Sequence, residues 1–162
     1  MSAQKDSYAW LWVSLMVAAL IGGIVYFVYE MAQPKTTVYL GDGIFTAHVA
    51  STDGAREKGL AGINELPKDK AMLFVFEQDG QHGVWMKGMK VSLDIVWLDS
   101  EKRVVHIAHD VSPASYPDEV YKPSLPARYV IELAAGTARE KSIRTGIAAR
   151  FDDKGVMKGT LW

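Results

Sequence analysis

The run Leu93-Asp94-Ile95-Val96-Trp97-Leu98 constrains this chain more than any other. Side chains alternate across a strand, so Leu93, Ile95 and Trp97 share one face, while Asp94 shares the other with Val96 and Leu98. Both faces are apolar, which predicts a central strand covered on both sides with one carboxylate inside it. A buried charge must be paired or neutralised, because removing it from water costs several kcal/mol. The sequence offers three cations for that role: Lys87 just before the strand, Arg128 at the start of Arg-Tyr-Val-Ile-Glu-Leu, and Arg56 on a short predicted helix. Arg128 shares its strand face with Val130 and Glu132.

Around this strand lie further short β-rich runs separated by turns. Residues 37–40 and 44–49 flank Gly41-Asp42-Gly43 and read as a hairpin. Ser51-Thr52-Asp53 can cap a brief helix through Lys58, stopped at Gly59 or Gly62. Met72-Leu73-Phe74-Val75-Phe76 reads as another buried strand. Residues 84–86, 104–109, 128–133 and 148–151 read as strands, and 136–142 as a short helix. Ser112 to Pro126 holds four of the six prolines and reads as a long loop, either functional or disordered. The pattern predicts a mainly β, compact single-domain fold of sandwich or barrel type with short helices.

Ahead of it, residues 8–29 carry no charge. About 22 residues at ~1.5 Å each match a ~30 Å hydrocarbon core, and aromatic residues gather at both ends. The sequence therefore predicts one transmembrane helix over 8–29 between a stub (1–7) and a linker (30–36), then the β-rich domain (37–152) and a tail (153–162). Lys5 and Lys35 nearly balance across that segment. The short stub favours a signal anchor in a bacterial cytoplasmic membrane, with the domain extracytoplasmic.

The ordered blocks Arg56-Glu57-Lys58-Gly59-Leu60-Ala61-Gly62, Met72 to Phe76, Val84-Trp85-Met86-Lys87-Gly88-Met89, Leu93 to Asp99, Ser115-Tyr116-Pro117 and Pro126 to Leu133 carry a resemblance. The stretch from about Val38 to Phe151 resembles the bacterial and archaeal "domain of unknown function 192" family. Where that family often has Phe and Asn, this chain has Val84 and Gly88. The resemblance implies a small β-rich domain, frequently exported or membrane-anchored, and it implies no activity.

Several function classes lack their residues. A net charge of −1 excludes the basic footprint of a dedicated nucleic-acid binder. With no cysteine there is no thiol nucleophile and no zinc ribbon. No serine sits in Gly-x-Ser-x-Gly, and Gly41-Asp42-Gly43 lacks the strand–loop–helix setting of a phosphate cradle. His106 and His109, three apart on a strand, point to opposite faces unless a bulge intervenes, so no metal or cofactor is expected there. The remaining expectation is a ligand site built from Trp85, Lys87, Asp94, Tyr116 and Arg128 under the proline-rich loop. Its occupant would be a small ligand or an envelope protein, in a non-enzymatic accessory module. The alternative is an envelope hydrolase or lyase with Asp94 as general base.

Overall fold

The computed structural model describes residues 3–32 and 34–153. Two compact units divide the chain at residues 33 and 34. The first is a single helix, α1 (Ala3–Ala32). The expected membrane-crossing segment over 8–29 is not met: among the described residues, no helix is long and apolar enough to cross a membrane. Within α1 the continuous described side chains run from Trp10 to Val25. The aromatic residues read as its second belt, Tyr26, Phe27 and Tyr29, lie outside the described side chains. The linker is also shorter than expected, since α1 reaches Ala32 and the first strand begins at Lys35. Residues 154–162 of the predicted tail lie outside the described residues.

The second unit is built on one six-stranded mixed sheet. Its strands are β1 (Lys35–Leu40), β2 (Gly43–Ala50), β3 (Lys70–Gly80), β4 (Leu93–Leu98), β5 (Val104–Val111) and β6 (Ala127–Ala134). They lie in the order β1-β2-β3-β6-β4-β5. All neighbours are antiparallel except β2 and β3, which pair in parallel. A parallel pair needs a long crossover. Residues 51–69 supply it, and they carry the short helix α2 (Asp53–Lys58). After β6 comes α3 (Thr137–Glu140).

The expected strand at 148–151 is reduced to isolated bridges, yet these close the fold. Tyr39 of β1 exchanges both backbone hydrogen bonds with Arg150, while Ala149 N–H donates to Lys102 O and Val104 N–H to Ile147 O. One segment thus stitches together the two edges of the sheet, which removes the exposed edges that invite aggregation. The enclosed face holds Leu40, Phe45, Leu73, Val96, Leu98, Ile131 and Leu133 in one buried cluster. The opposite face carries Phe74, Met86, Leu93, Ile95, Trp97 and Val130 in a second cluster, covered by loops. The architecture is therefore barrel-like rather than a two-sheet sandwich. As the alternation predicts, all six residues of β4 are buried.

Asp94 is fully buried, but among the described residues no Lys or Arg pairs with it. Opposite it, β5 places two residues, His109 and Asp110, between the partners of Leu93 and Ile95. This is a β-bulge, and Asp110 adopts φ 52° within it. Asp110 N–H donates to Asp94 Oδ1 at 2.9 Å, and Ala138 N–H in the first turn of α3 donates to Oδ2 at 2.7 Å. The carboxylate thus accepts one N–H from a bulge and one from a helix start, donors that the sheet and helix ladders leave unmatched. His109 Nδ1 stands 3.8 Å away. The three cations named from the sequence bind elsewhere: Arg56 to Asp53, Lys87 to Glu57 and Arg128 to Asp79.

Leaving two buried N–H groups unmatched should cost about 2–6 kcal/mol. Asp94→Ala is therefore expected to lower the melting temperature by about 10 °C or more, followed by circular dichroism. Asp94→Asn should fall in between, because its amide keeps one acceptor oxygen. An unchanged melting point in both variants would remove Asp94 from this role.

Candidate functional site

On the loop-covered face of the sheet lies a cavity of about 310 Å³. Its floor begins with β3, where alternation sends Phe74 and Phe76 to this side. The next strand, β6, adds Glu132, set between Met72 of β3 and Ile95 of β4. Asp53, Arg56, Glu57 and Lys58 of α2 form one wall, together with Gly59 and Leu60, and residues 83–89 the other, through Trp85, Lys87 and Met89.

Each wall is held by identifiable bonds. The Thr52 side chain accepts from Ala55 N–H and caps α2, while Gly59 ends it at φ 48° and donates to Ala55 O. Arg56 donates through Nη1 to Ser51 O at 2.6 Å and to Val75 O at 2.8 Å, and its guanidinium lies 5.0 Å from the centre of the Phe76 ring. It acts as a clamp between helix and strand. The second wall is not the strand expected over 84–86. Only Val84 pairs, exchanging both backbone bonds with Tyr121 of the proline-rich loop at 2.9 Å. Behind it the buried Trp97 indole donates to His82 O at 2.8 Å, and the His82 ring stacks on Phe76 at 3.6 Å. Gly62 N–H donates to Gly88 O and ties the two walls together. Gly88 sits at φ 70°, a region that Gly and Asn share, so a family Asn there and the Gly found here serve the same backbone.

Of the five residues expected to form a site, the cavity gathers Trp85 and Lys87. Trp85 is 45% exposed. Asp94 has no exposure, and backbone N–H groups occupy both its oxygens, so it is not placed to take a proton from a substrate. Arg128 pairs with Asp79 at 2.6 Å, at the end of β3 where the register with β6 shifts. Tyr116 is exposed on the proline-rich loop, next to a cis bond to Pro117. That loop buttresses the cavity through Tyr121 instead of lining it.

The residue that sequence reasoning missed is Glu132. It is 4% exposed, and its Oε2 has no hydrogen-bond partner among the described residues. Burial pushes its carboxyl up to about 8. At neutral pH it is mostly the uncharged acid. A signal was present, since Glu132 shares a face with Val130 in a strand otherwise apolar.

With this geometry in place, comparison with known proteins gives a consistent picture. A family model, DUF192, described as "Uncharacterized ACR", matches residues 36–151. The chain belongs to the DUF192 family. No curated protein matches it. Two solved structures resemble this DUF192 chain. One, described as a candidate transcription regulator from Sinorhizobium meliloti 1021, is 24% identical, with a TM-score of 0.66 over 74% of this chain and 94% of its own. The other, a protein of unknown function from Novosphingobium aromaticivorans DSM 12444, is 25% identical, with a TM-score of 0.66 over 73% and 84%.

The state of Glu132 makes stability depend on pH. In the unfolded chain a Glu ionises near 4.3, whereas here it holds its proton to about 8. Between those values the folded chain binds the extra proton, so its contribution to stability is full below about pH 4.3 and is lost as pH rises towards 8. Glu132→Gln removes this loss. The melting point of the variant should exceed that of the wild type by a margin that widens from pH 5 to pH 8 and then levels. Parallel curves across that range would mean that Glu132 is not a buried acid.

Proposed function

We propose that this DUF192 chain is a small-molecule binding module whose ligand enters the cavity between α2 and residues 83–89 and reaches Glu132. The observation that carries the reading is the unpartnered Glu132 Oε2 on the floor of an aromatic-lined cavity. Buried polar atoms are nearly always hydrogen-bonded, and each exception calls for an explanation, of which a ligand that completes the set is one. A cavity of about 310 Å³ lies at the small end of ligand sites. Its apolar lining comes from Leu60, Phe74, Phe76, Val84, Trp85 and Met89, with charged side chains in both walls and Glu132 on the floor to orient a small ligand. Of the partners expected from sequence, a small molecule fits a concave site this size better than a protein surface does.

The test is a screen of small fragments against the full-length chain, with amines, carboxylic acids and neutral compounds represented equally. Binding to the folded state alone, at a hundred times the dissociation constant, stabilises it by about 2.7 kcal/mol, enough for a shift of several degrees. Fragments that raise the melting point of the wild type should lose most of that shift in Glu132→Leu. The reading fails when no fragment stabilises the wild type, or when every hit stabilises both proteins equally.

A further inference from the structure

We propose that the ligand of this cavity is a small organic amine whose ammonium group pairs with the Glu132 carboxylate among the Phe74, Phe76 and Trp85 rings. The inference rests on the binding-module reading and names its ligand class.

Three observations converge on it. The first is the missing positive partner. Of the charged groups lining the cavity, Asp53, Arg56, Glu57 and Lys58 come from α2 and Lys87 from the opposite wall. None hydrogen-bonds Glu132 Oε2. Arg56 is committed to Asp53 and to two backbone carbonyls, and Lys87 faces Glu57 across 3.8 Å at the exposed mouth. On the flanking strands the register partners of Glu132 are Met72 and Ile95, both apolar, and Lys70, on the Met72 face of β3, pairs with Asp69 at 2.8 Å.

The second observation is the lining itself. Aromatic faces carry negative potential and attract cations within about 6 Å of the ring centre, and aromatic cages are a common means of holding ammonium groups. Three rings line this cavity, with Glu132 as the acid on its floor and Asp53 and Glu57 on the α2 wall. The third is the choice of acid. A glutamine would fill the same volume and supply both a donor and an acceptor without a titrating group. A carboxyl in that position differs in one respect, that it can become an anion when a cation arrives. The mouth does not oppose this strongly, because Lys87 and Glu57 are solvent-exposed and screened.

The proton balance follows. Below about pH 8 the empty site holds Glu132 as the neutral acid. When the ammonium group binds, Glu132 gives one proton to the buffer and becomes the carboxylate of an ion pair. Apparent affinity should therefore rise about tenfold per pH unit up to roughly pH 8 and then level. A ligand that only accepts a hydrogen bond from the neutral acid has the opposite dependence, weakening above pH 8.

Titration calorimetry on the full-length chain with benzylamine, benzyl alcohol and benzoate separates these cases. The three probes share a ring and differ in the charge of one small group. Run from pH 6 to pH 9 in buffers of different ionisation enthalpy, benzylamine should bind tightest and release about one proton per molecule at pH 6–7. Glu132→Gln should lose at least tenfold in benzylamine affinity and all of its pH dependence. Its own raised melting point shows that the variant is folded. Trp85→Leu, at a half-exposed position, should weaken benzylamine severalfold more than benzyl alcohol.

Equal or tighter binding of the alcohol or the benzoate overturns the amine assignment while leaving the cavity as a ligand site. So does a fragment screen whose Glu132-dependent hits contain no amine. A screen without any hit overturns the binding-module reading itself.

Discussion

The fold depends on how its sheet is closed. Six strands in one sheet leave two edges, β1 and β5, and residues 146–150 bond to both. That segment reaches its place through α3, and α3 is fastened at both ends. Ala138 N–H at its start donates to the Asp94 carboxylate, and Lys141 O just after it accepts from Asp42 N–H in the β1–β2 turn at 2.8 Å. The turn must contain glycine, because a Cβ on Gly41 would lie 2.1 Å from Lys141 O. A chain of short contacts therefore runs from β4 through α3 to the closing segment. A second fastening lies beyond it, where Lys102 Nζ donates to Phe151 O and Asp153, and the buried Tyr129 hydroxyl donates to Asp153.

Closure has a consequence for the other face of the sheet. With the larger apolar cluster enclosed, the opposite face is left to loops, and loops cover it incompletely. The crossover that a parallel β2–β3 pair requires passes over this face and brings α2 with it. The proline-rich connection between β5 and β6 passes behind residues 83–89 and holds Val84. The cavity is the gap between these two coverings, so its position follows from the topology and its chemistry from whichever side chains of β3 and β6 point outward there.

Much of this was legible in the residues. The two-sided burial of 93–98, the 37–49 hairpin, the capped helix before Gly59 and the strand around 72–76 all rest on alternation or capping, which are local. What sequence could not convey was which partner a buried group finds. For Asp94 a search among side chains offered Arg56, Lys87 and Arg128, whereas its partners are backbone N–H groups at a bulge and a helix start, and every residue except proline carries those. Residues 84–86 have the composition of a strand and pair at one position only, because their neighbour is a loop. Glu132 went unrecognised because strand register, which the sequence does not display, decides that it sits between Met72 and Ile95. The charge-free run at 8–29 was equally conspicuous, but among the described residues no helix is long and apolar enough to cross a membrane.

The two buried carboxyls show why one position reads as architecture and the other as function. Asp94 is surrounded by donors fixed in the fold, so its charge is satisfied whether or not anything binds. Glu132 is nearly as deeply buried, and among the described residues nothing hydrogen-bonds its Oε2. Of the cations lining its cavity, Arg56 is bonded to Asp53 and two backbone carbonyls and Lys87 faces Glu57. A leucine or methionine at 132 would suit the surrounding cluster of Phe74, Ile95, Trp97 and Val130 better, and by area alone would be the more stable choice. Stabilising replacements of that kind are easy to reach, and residues that forgo them are commonly those a function requires. The argument for a ligand thus rests on an asymmetry within one sheet: the same chemical group, similarly removed from water, is fully matched in β4 and left unmatched two residues from the end of β6.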